Sequence, residues 1–166
     1  MSAAYKAAPG RRVLQNKHVG AHFEKLLVHR AQLCGLLILR NELSFRYQGG
    51  GKMLPIRTDL DFRICNKRGQ TAFCDAKSFD QDYFTFSQIT EHQLRRARIY
   101  EAYNVPAGFV VWFKPSQQVL FYAGNVLHQM GPRSRFTSAH GVSLGHALNF
   151  DPRLIFVAPE WAQNKS

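Results

Sequence analysis

The residues best equipped for chemistry lie in "RTDLDFRICNKRGQTAFCDAKSF", residues 57 to 79. The chain has only eleven acidic residues among 166, yet Asp59, Asp61 and Asp75 fall in this stretch, with Lys77 beside the last. Carboxylates crowded on adjacent strands repel one another unless a cation sits between them. Hard oxygen ligands of this kind suit Mg²⁺, or alternatively Mn²⁺. Such ions keep several waters and are normally held by one or two carboxylates plus oxygens of a substrate phosphate. An ammonium such as that of Lys77 favours the deprotonated form of a nearby activated water and balances charge gathering on a phosphorane-like transition state. The chemistry implied is hydrolysis of a phosphodiester. The same residues also suit an exposed hairpin in which Asp75, Lys77 and Arg63 form surface ion pairs, each contributing little, and the short D-x-K spacing does not choose between the two.

The elements that must position these groups follow from side-chain alternation. "DLDFRIC" and "TAFCDAKSF" alternate as strands do, and "NKRG" between them carries the Asn and Gly of a hairpin loop. On the first strand Asp59, Asp61 and Arg63 share one face and Leu60, Phe62 and Ile64 the other. On its partner Phe73, Asp75 and Lys77 oppose Ala72, Cys74 and Ala76. The apolar sets can form a core and leave the acids together.

Around the hairpin, residues 1–16 read as a flexible basic arm and 17–166 as one domain. Val19, Phe23, Leu26, Leu27, Ala31 and Cys34 recur at helical steps from about His18 to Cys34, and Gly35 stops the helix. "LLILRNELSFRY" predicts one long strand or two short ones, and Gly49-Gly50-Gly51 a mobile connection or excursion. A second helix is expected over about Gln88 to Asn104, capped by Thr85 or Ser87, with Ile89, Gln93, Ala97 and Tyr100 facing inward and Pro106 barring continuation. "AGFVVWF" reads as a strand covered on both faces. "QQVLFYAG" and "RLIFVAP" are shorter strand candidates, and residues 131–150 predict no regular element. The order describes an α/β sandwich around a mixed sheet. No glycine-rich phosphate loop is present, which argues against a nucleotide cofactor.

Whole-chain properties narrow the partners. With 22 Lys and Arg against 11 Asp and Glu, the net charge is +11 and the pI about 10.0. That balance suits a polyanion, with nucleic acid first, although it also fits a merely soluble basic protein. No apolar run approaches the roughly 20 residues needed to span a bilayer, and no signal-peptide core follows the start, so a cytoplasmic protein without membrane attachment is expected. Cys34, Cys65 and Cys74 are odd in number and lack C-x-x-C spacing, which fits reduced core or near-core thiols. Cys34 is expected on the first helix, and Cys65 and Cys74 on opposite faces of the hairpin.

Asp59, a hairpin and then Asp75-Ala76-Lys77 resemble the PD-(D/E)xK nuclease signature. "GAHFEKLL", "RTDLDF", "FCDAKSF" and "ITEHQLRRA", in that order from about Gly20 to Phe113, together resemble the RecU family of Holliday-junction resolvases of bacteria and their phages. The resemblance implies a restriction-endonuclease-like α/β core, a mixed β-sheet flanked by helices. It implies Mg²⁺-dependent cutting of four-way DNA junctions, in recombination and repair, by a homodimer whose two sites face related strands. It makes Asp59 and Asp75 metal ligands, Glu24 an outer acidic residue supporting the metal, Lys77 the catalytic lysine and Gln93 a supporting polar residue. Asp61 departs from the pattern, standing where a polar, often uncharged, residue is expected. Basic and polar residues expected to grip the DNA backbone are Arg11, Arg12 and Lys17 near the start, Lys52, Arg57 and Thr58 before the hairpin, and Arg95 and Arg96 on the second helix. The stretch from Gly49 to Pro55 lies where that family carries a projecting stalk. Two other readings remain open: a nuclease of the same fold acting on duplex or flap DNA, and a non-catalytic DNA-binding module on the same scaffold.

Overall fold

Phe23, Leu27 and Ala31 are fully buried, one per turn, and make α1 (Gly10–Leu33) an amphipathic helix laid on a sheet. The structure is a computed structural model describing residues 10–41, 44–47, 49–56 and 59–157, with the side chains of 10–19, 44–46, Met53, Pro55 and Ile56 left aside. After α1 come β1 (Leu37–Arg40), β2 (Ser44–Tyr47), β3 (Met53–Ile56), β4 (Phe62–Cys65), β5 (Thr71–Phe79), β6 (Phe84–Thr85), α2 (Glu91–Ala102), β7 (Ala107–Phe113), β8 (Gln118–Ala123), α3 (Gly124–Gln129), β9 (Arg135–Phe136) and β10 (Val142–His146).

Among the described residues, six strands form one mixed sheet in the order β1-β4-β5-β7-β8-β10. The expected hairpin is β4 and β5, antiparallel with Phe62 opposite Cys74 and Cys65 opposite Thr71. β5 and β7 are parallel, which a two-residue turn cannot connect, so α2 supplies the crossover. β7 carries the near-continuous apolar run and is buried along almost its whole length, as a central strand should be.

Two layers cover the sheet. α1 packs Phe23, Leu27 and Ala31 with Phe62, Ile64, Ala72 and Cys74. Phe109, Val111, Phe113, Leu120 and Tyr122 form a second cluster with Ile89 ahead of α2 and Leu127 of α3. Leu60 joins Ala97, Ala107, Phe73 and Tyr100 in a third cluster, on the α2 side. The sequence pattern predicts Leu60 alongside Phe62 and Ile64. The strand begins only at Phe62, however, and the chain bends over residues 59–61, so the alternation does not extend back to Leu60.

Other boundaries also differ from expectation. α1 starts at Gly10, not near His18, and takes in residues 10–16 of the expected arm; Arg, Leu, Gln and Lys at 11–17 are good helix formers, and no breaker separates them from the apolar stripe. Cys34 lies just past the end of α1, its N–H still bonded to the Arg30 carbonyl. "LLILRNELSFRY" forms two strands in different sheets, β1 at the edge of the main sheet and β2 in a separate hairpin with β3. Gly49, Gly50 and Gly51 all have positive φ and turn that hairpin, a conformation only glycine adopts readily three times in a row.

α2 is capped by Thr90, and not by Thr85 or Ser87, because Thr90 stands three residues before Gln93 and the two close a capping box. "RLIFVAP" is not a strand. Asp151 accepts from the Arg153 N–H, Pro152 occupies the first helical position, and Pro152–Phe156 winds as a 3₁₀ helix. Residues 131–150, which predict no element, supply β9 and the edge strand β10. Cys74 is buried and Cys65 half-buried on the opposite face, as expected, and Cys34, Cys65 and Cys74 are free thiols. Among the described residues, no helix is long and apolar enough to cross a membrane.

Candidate active site

Strand β5 brings Asp75 and Lys77 to the α2 side of the sheet, two residues apart and therefore on one face. Asp75 is fully buried. A buried carboxylate is costly unless hydrogen-bonded and paired, and this one is both. Its Oδ1 accepts the Asp61 backbone N–H at 2.7 Å, its Oδ2 accepts from the Gln93 side-chain amide, and the Lys77 ammonium stands 3.9 Å from Oδ2. The Lys77 side chain is about a quarter exposed, so one end of the pair reaches solvent.

Gln93 reaches Asp75 because α2 fixes its amide. Its Oε1 accepts the Thr90 N–H at 3.1 Å while its own N–H donates to Thr90 Oγ1 at 3.2 Å, leaving the NH₂ group to point at Asp75. Two turns along the same face, Tyr100 stacks flat on Phe73, with ring centroids 3.9 Å apart and planes within 5°. Phe73 precedes Asp75 by two residues and shares its face.

The Tyr100 hydroxyl donates to Asp59 Oδ2, and Arg96 lies 3.5 Å from the same oxygen. Asp59 Oδ1 accepts the Leu60 N–H at 2.8 Å. Burial and the neighbouring Asp59 charge raise the pKa of Tyr100, which keeps its proton as the donor. Burial lowers the Arg96 pKa, but the hydrogen bond and charge of Asp59 outweigh it and raise the value overall.

The structure therefore brings Asp75, Lys77, Gln93 and the Asp61 backbone together, and Asp59 is held by Tyr100 and Arg96 of the helix that carries Gln93. Glu24 is turned to Arg40 of β1, with which it makes an ion pair. Among the described residues no three His, Cys, Asp or Glu side chains are arranged to hold a metal ion, so Glu24, Asp59 and Asp75 do not form a three-carboxylate set here. Asp59 and Asp75 each offer carboxylate oxygens, the hard donor type that divalent cations such as Mg²⁺ take.

A cavity of about 500 Å³ opens beside Lys77, lined further by Ser78, Asp80, Gln81, Gln88 and Lys114. Lys114 is paired with Asp80 at 2.6 Å. Of the expected backbone-gripping residues, Lys52 and Arg95 are exposed, on the β2–β3 turn and on α2, and Arg96 is half-buried against Asp59. The side chains of Arg11, Arg12 and Lys17, and all of Arg57 and Thr58, lie outside the described residues.

Sequence reasoning places Tyr100 on the inward stripe of its helix but assigns it no role at the site. Its seven-residue spacing from Gln93 is the signal that it faces the same strand. Arg96 reads as a solvent-facing cation, and nothing in its neighbourhood in the sequence points to Asp59.

No family model matches the chain, and no curated protein sequence matches it. Among solved structures the chain is similar to Hjc of Archaeoglobus fulgidus, a Holliday junction resolvase from an archaeal hyperthermophile, with a TM-score of 0.51 and 12% identity, over 75% of this chain and 95% of that one. The likeness establishes the fold, a restriction-endonuclease-like α/β core with a six-stranded mixed sheet flanked by helices.

Proposed function

We propose that this protein is a metal-dependent endonuclease that resolves four-way DNA junctions, similar in kind to the RecU family, with Asp59 and Asp75 as ligands for Mg²⁺ and Lys77 as the catalytic lysine. The observation that carries the reading is Asp75. A carboxylate inside the sheet, fully buried, bonded by Gln93 and a backbone N–H and faced by an ammonium, is the kind of held acid on which functional sites are built. Support comes from the net charge of +11 and from the fold shared with a protein whose own substrate is a Holliday junction.

In this mechanism Gln93 and the Asp61 N–H hold the orientation of the Asp75 carboxylate. Tyr100 does the same for Asp59. Lys77, 3.9 Å from Asp75 Oδ2, balances negative charge on the phosphorus oxygens as water attacks in line. A divalent ion, when bound, supplies Lewis-acid charge and draws down the pKa of water. Exposed cations such as Lys52 and Arg95 contact phosphates by shape rather than by base sequence. Glu24, turned to Arg40 as it is, supports the ion only once that pair opens. A homodimer follows from the need to cut two related strands symmetrically.

The test is cleavage of a labelled synthetic four-way junction in Mg²⁺, beside linear duplex of the same arms, with the wild type and Asp75→Ala. Paired symmetric nicks in the junction alone, lost in the variant and with chelator, are expected. Equal cutting of duplex would replace junction resolution by a restriction or repair activity. Tight binding without cleavage in Mg²⁺ or Mn²⁺ would leave a DNA-binding module.

A further inference from the structure

Asp59 is occupied on both oxygens. Oδ1 takes the Leu60 N–H, and Oδ2 takes the Tyr100 hydroxyl with the Arg96 guanidinium at 3.5 Å. Arg96 is itself braced: its Nη2 donates to the Tyr100 hydroxyl at 3.3 Å and its guanidinium lies 5.3 Å from the centre of the Tyr100 ring. Phe73 stacks flat on that ring. The result is a closed unit in which one cation neutralises the carboxylate that the proposed function assigns to a different cation.

Two positive charges competing for one half-buried carboxylate exclude each other. Arg96 also has a better anion available once nucleic acid arrives, because a phosphate offers its fork two parallel acceptors. Nucleic acid would draw the guanidinium off Asp59 and leave Oδ2 for a divalent ion. Binding of the two ligands is then positively linked through one side chain.

We infer that Arg96 is a counter-ion latch, which holds Asp59 charge-balanced in the free protein and hands it to a divalent metal when a backbone phosphate takes the guanidinium. Arg96 and Tyr100 are positioning residues here, acting through Asp59. The latch rests on the reading of Asp59 as a metal ligand and adds to it an order of events. The metal site is weak until DNA is bound, so free protein in a Mg²⁺-containing solution is largely metal-free.

The test is Mn²⁺ binding followed by loss of the free-ion electron paramagnetic resonance signal, with folding of each variant checked by circular dichroism. Without DNA, Arg96→Gln should bind Mn²⁺ about tenfold more tightly than wild type, within the usual range of coupling between sites. Tyr100→Phe, which keeps the ring stack on Phe73 and removes the hydroxyl, should tighten binding to a lesser degree. A four-way junction, added in a Lys77→Met background that keeps the strands whole and with a DNA-only titration subtracted, should tighten Mn²⁺ binding when Arg96 is present and change it little in Arg96→Gln. Mn²⁺ binding that Asp59→Asn weakens but Arg96→Gln leaves unchanged would overturn the latch alone. Binding that Asp59→Asn leaves unchanged would overturn the ligand reading and the latch with it.

Discussion

Gln93 bonds Asp75 with the same side chain that caps its own helix. One amide oxygen accepts the Thr90 N–H, and the amide nitrogen of that group donates to Asp75 Oδ2. The start of α2 and the orientation of the buried carboxylate on β5 are thus set by one residue, and neither can shift without the other.

Replacing Gln93 by Leu keeps the volume but removes the amide that donates to the buried Asp75 carboxylate and the acceptor of the Thr90 N–H. A loss of about 1–3 kcal/mol is expected, the usual range for a hydrogen bond to a charged group, read as a lower urea midpoint with an unchanged slope. Stability equal to wild type would show that the bond contributes nothing.

Glu101 gives the protein a pH dependence unrelated to the proposed chemistry. Burial pushes its carboxyl up from 4.5 to about 7, against the pull of the Gly124 and Asn125 N–H groups at the start of α3 and the charge of Arg98. The folded state therefore holds this proton more tightly than the unfolded chain. The contribution is full below about 4.5, declines as pH rises to about 7 and is flat above, an amount on the order of 2 kcal/mol. Thermal melts between pH 5 and 8 should show a steeper fall for wild type than for Glu101→Gln.

Gly108 sits where β7 and β8 pair, opposite Ala123. An added Cβ there would lie 1.9 Å from the Tyr122 carbonyl oxygen, and backbone cannot yield as a side chain can. Gly108→Ala should cost about 3 kcal/mol or more and lower Tm on the order of 10 °C. Gly20→Ala serves as the contrast, because its Cβ meets nothing within 4 Å and the position is helical, so Tm should hold or rise.

Thiol chemistry should separate the three cysteines. Cys74 is fully buried and its pKa is raised by that burial, while Cys34 and Cys65 are half-buried. A disulfide-exchange reagent should titrate two thiols in the native protein, Cys34 slowly because burial raises its pKa also. The third should react only on unfolding. Three fast thiols in native buffer would contradict the placement of Cys74 beneath α1.

What the sequence by itself determined is what depends on local geometry. Strand alternation put Asp75 and Lys77 on one face of β5 and Cys74 on the other, and helical spacing put Phe23, Leu27 and Ala31 in the core and Gln93 and Tyr100 toward the same strand. Those periods belong to the backbone and hold wherever a regular element forms. Tertiary structure alone decided which charges meet. Asp59 takes Arg96 and Tyr100, and Glu24 takes Arg40, from elements distant in the chain, and no local pattern encodes those partners. It also decided where alternation stops, since Leu60 follows the bend before β4 into the α2 cluster. The 3₁₀ turn at Pro152–Phe156 overrode a β-like apolar run in the same way, because one capped proline start fixed the backbone before side-chain preference could.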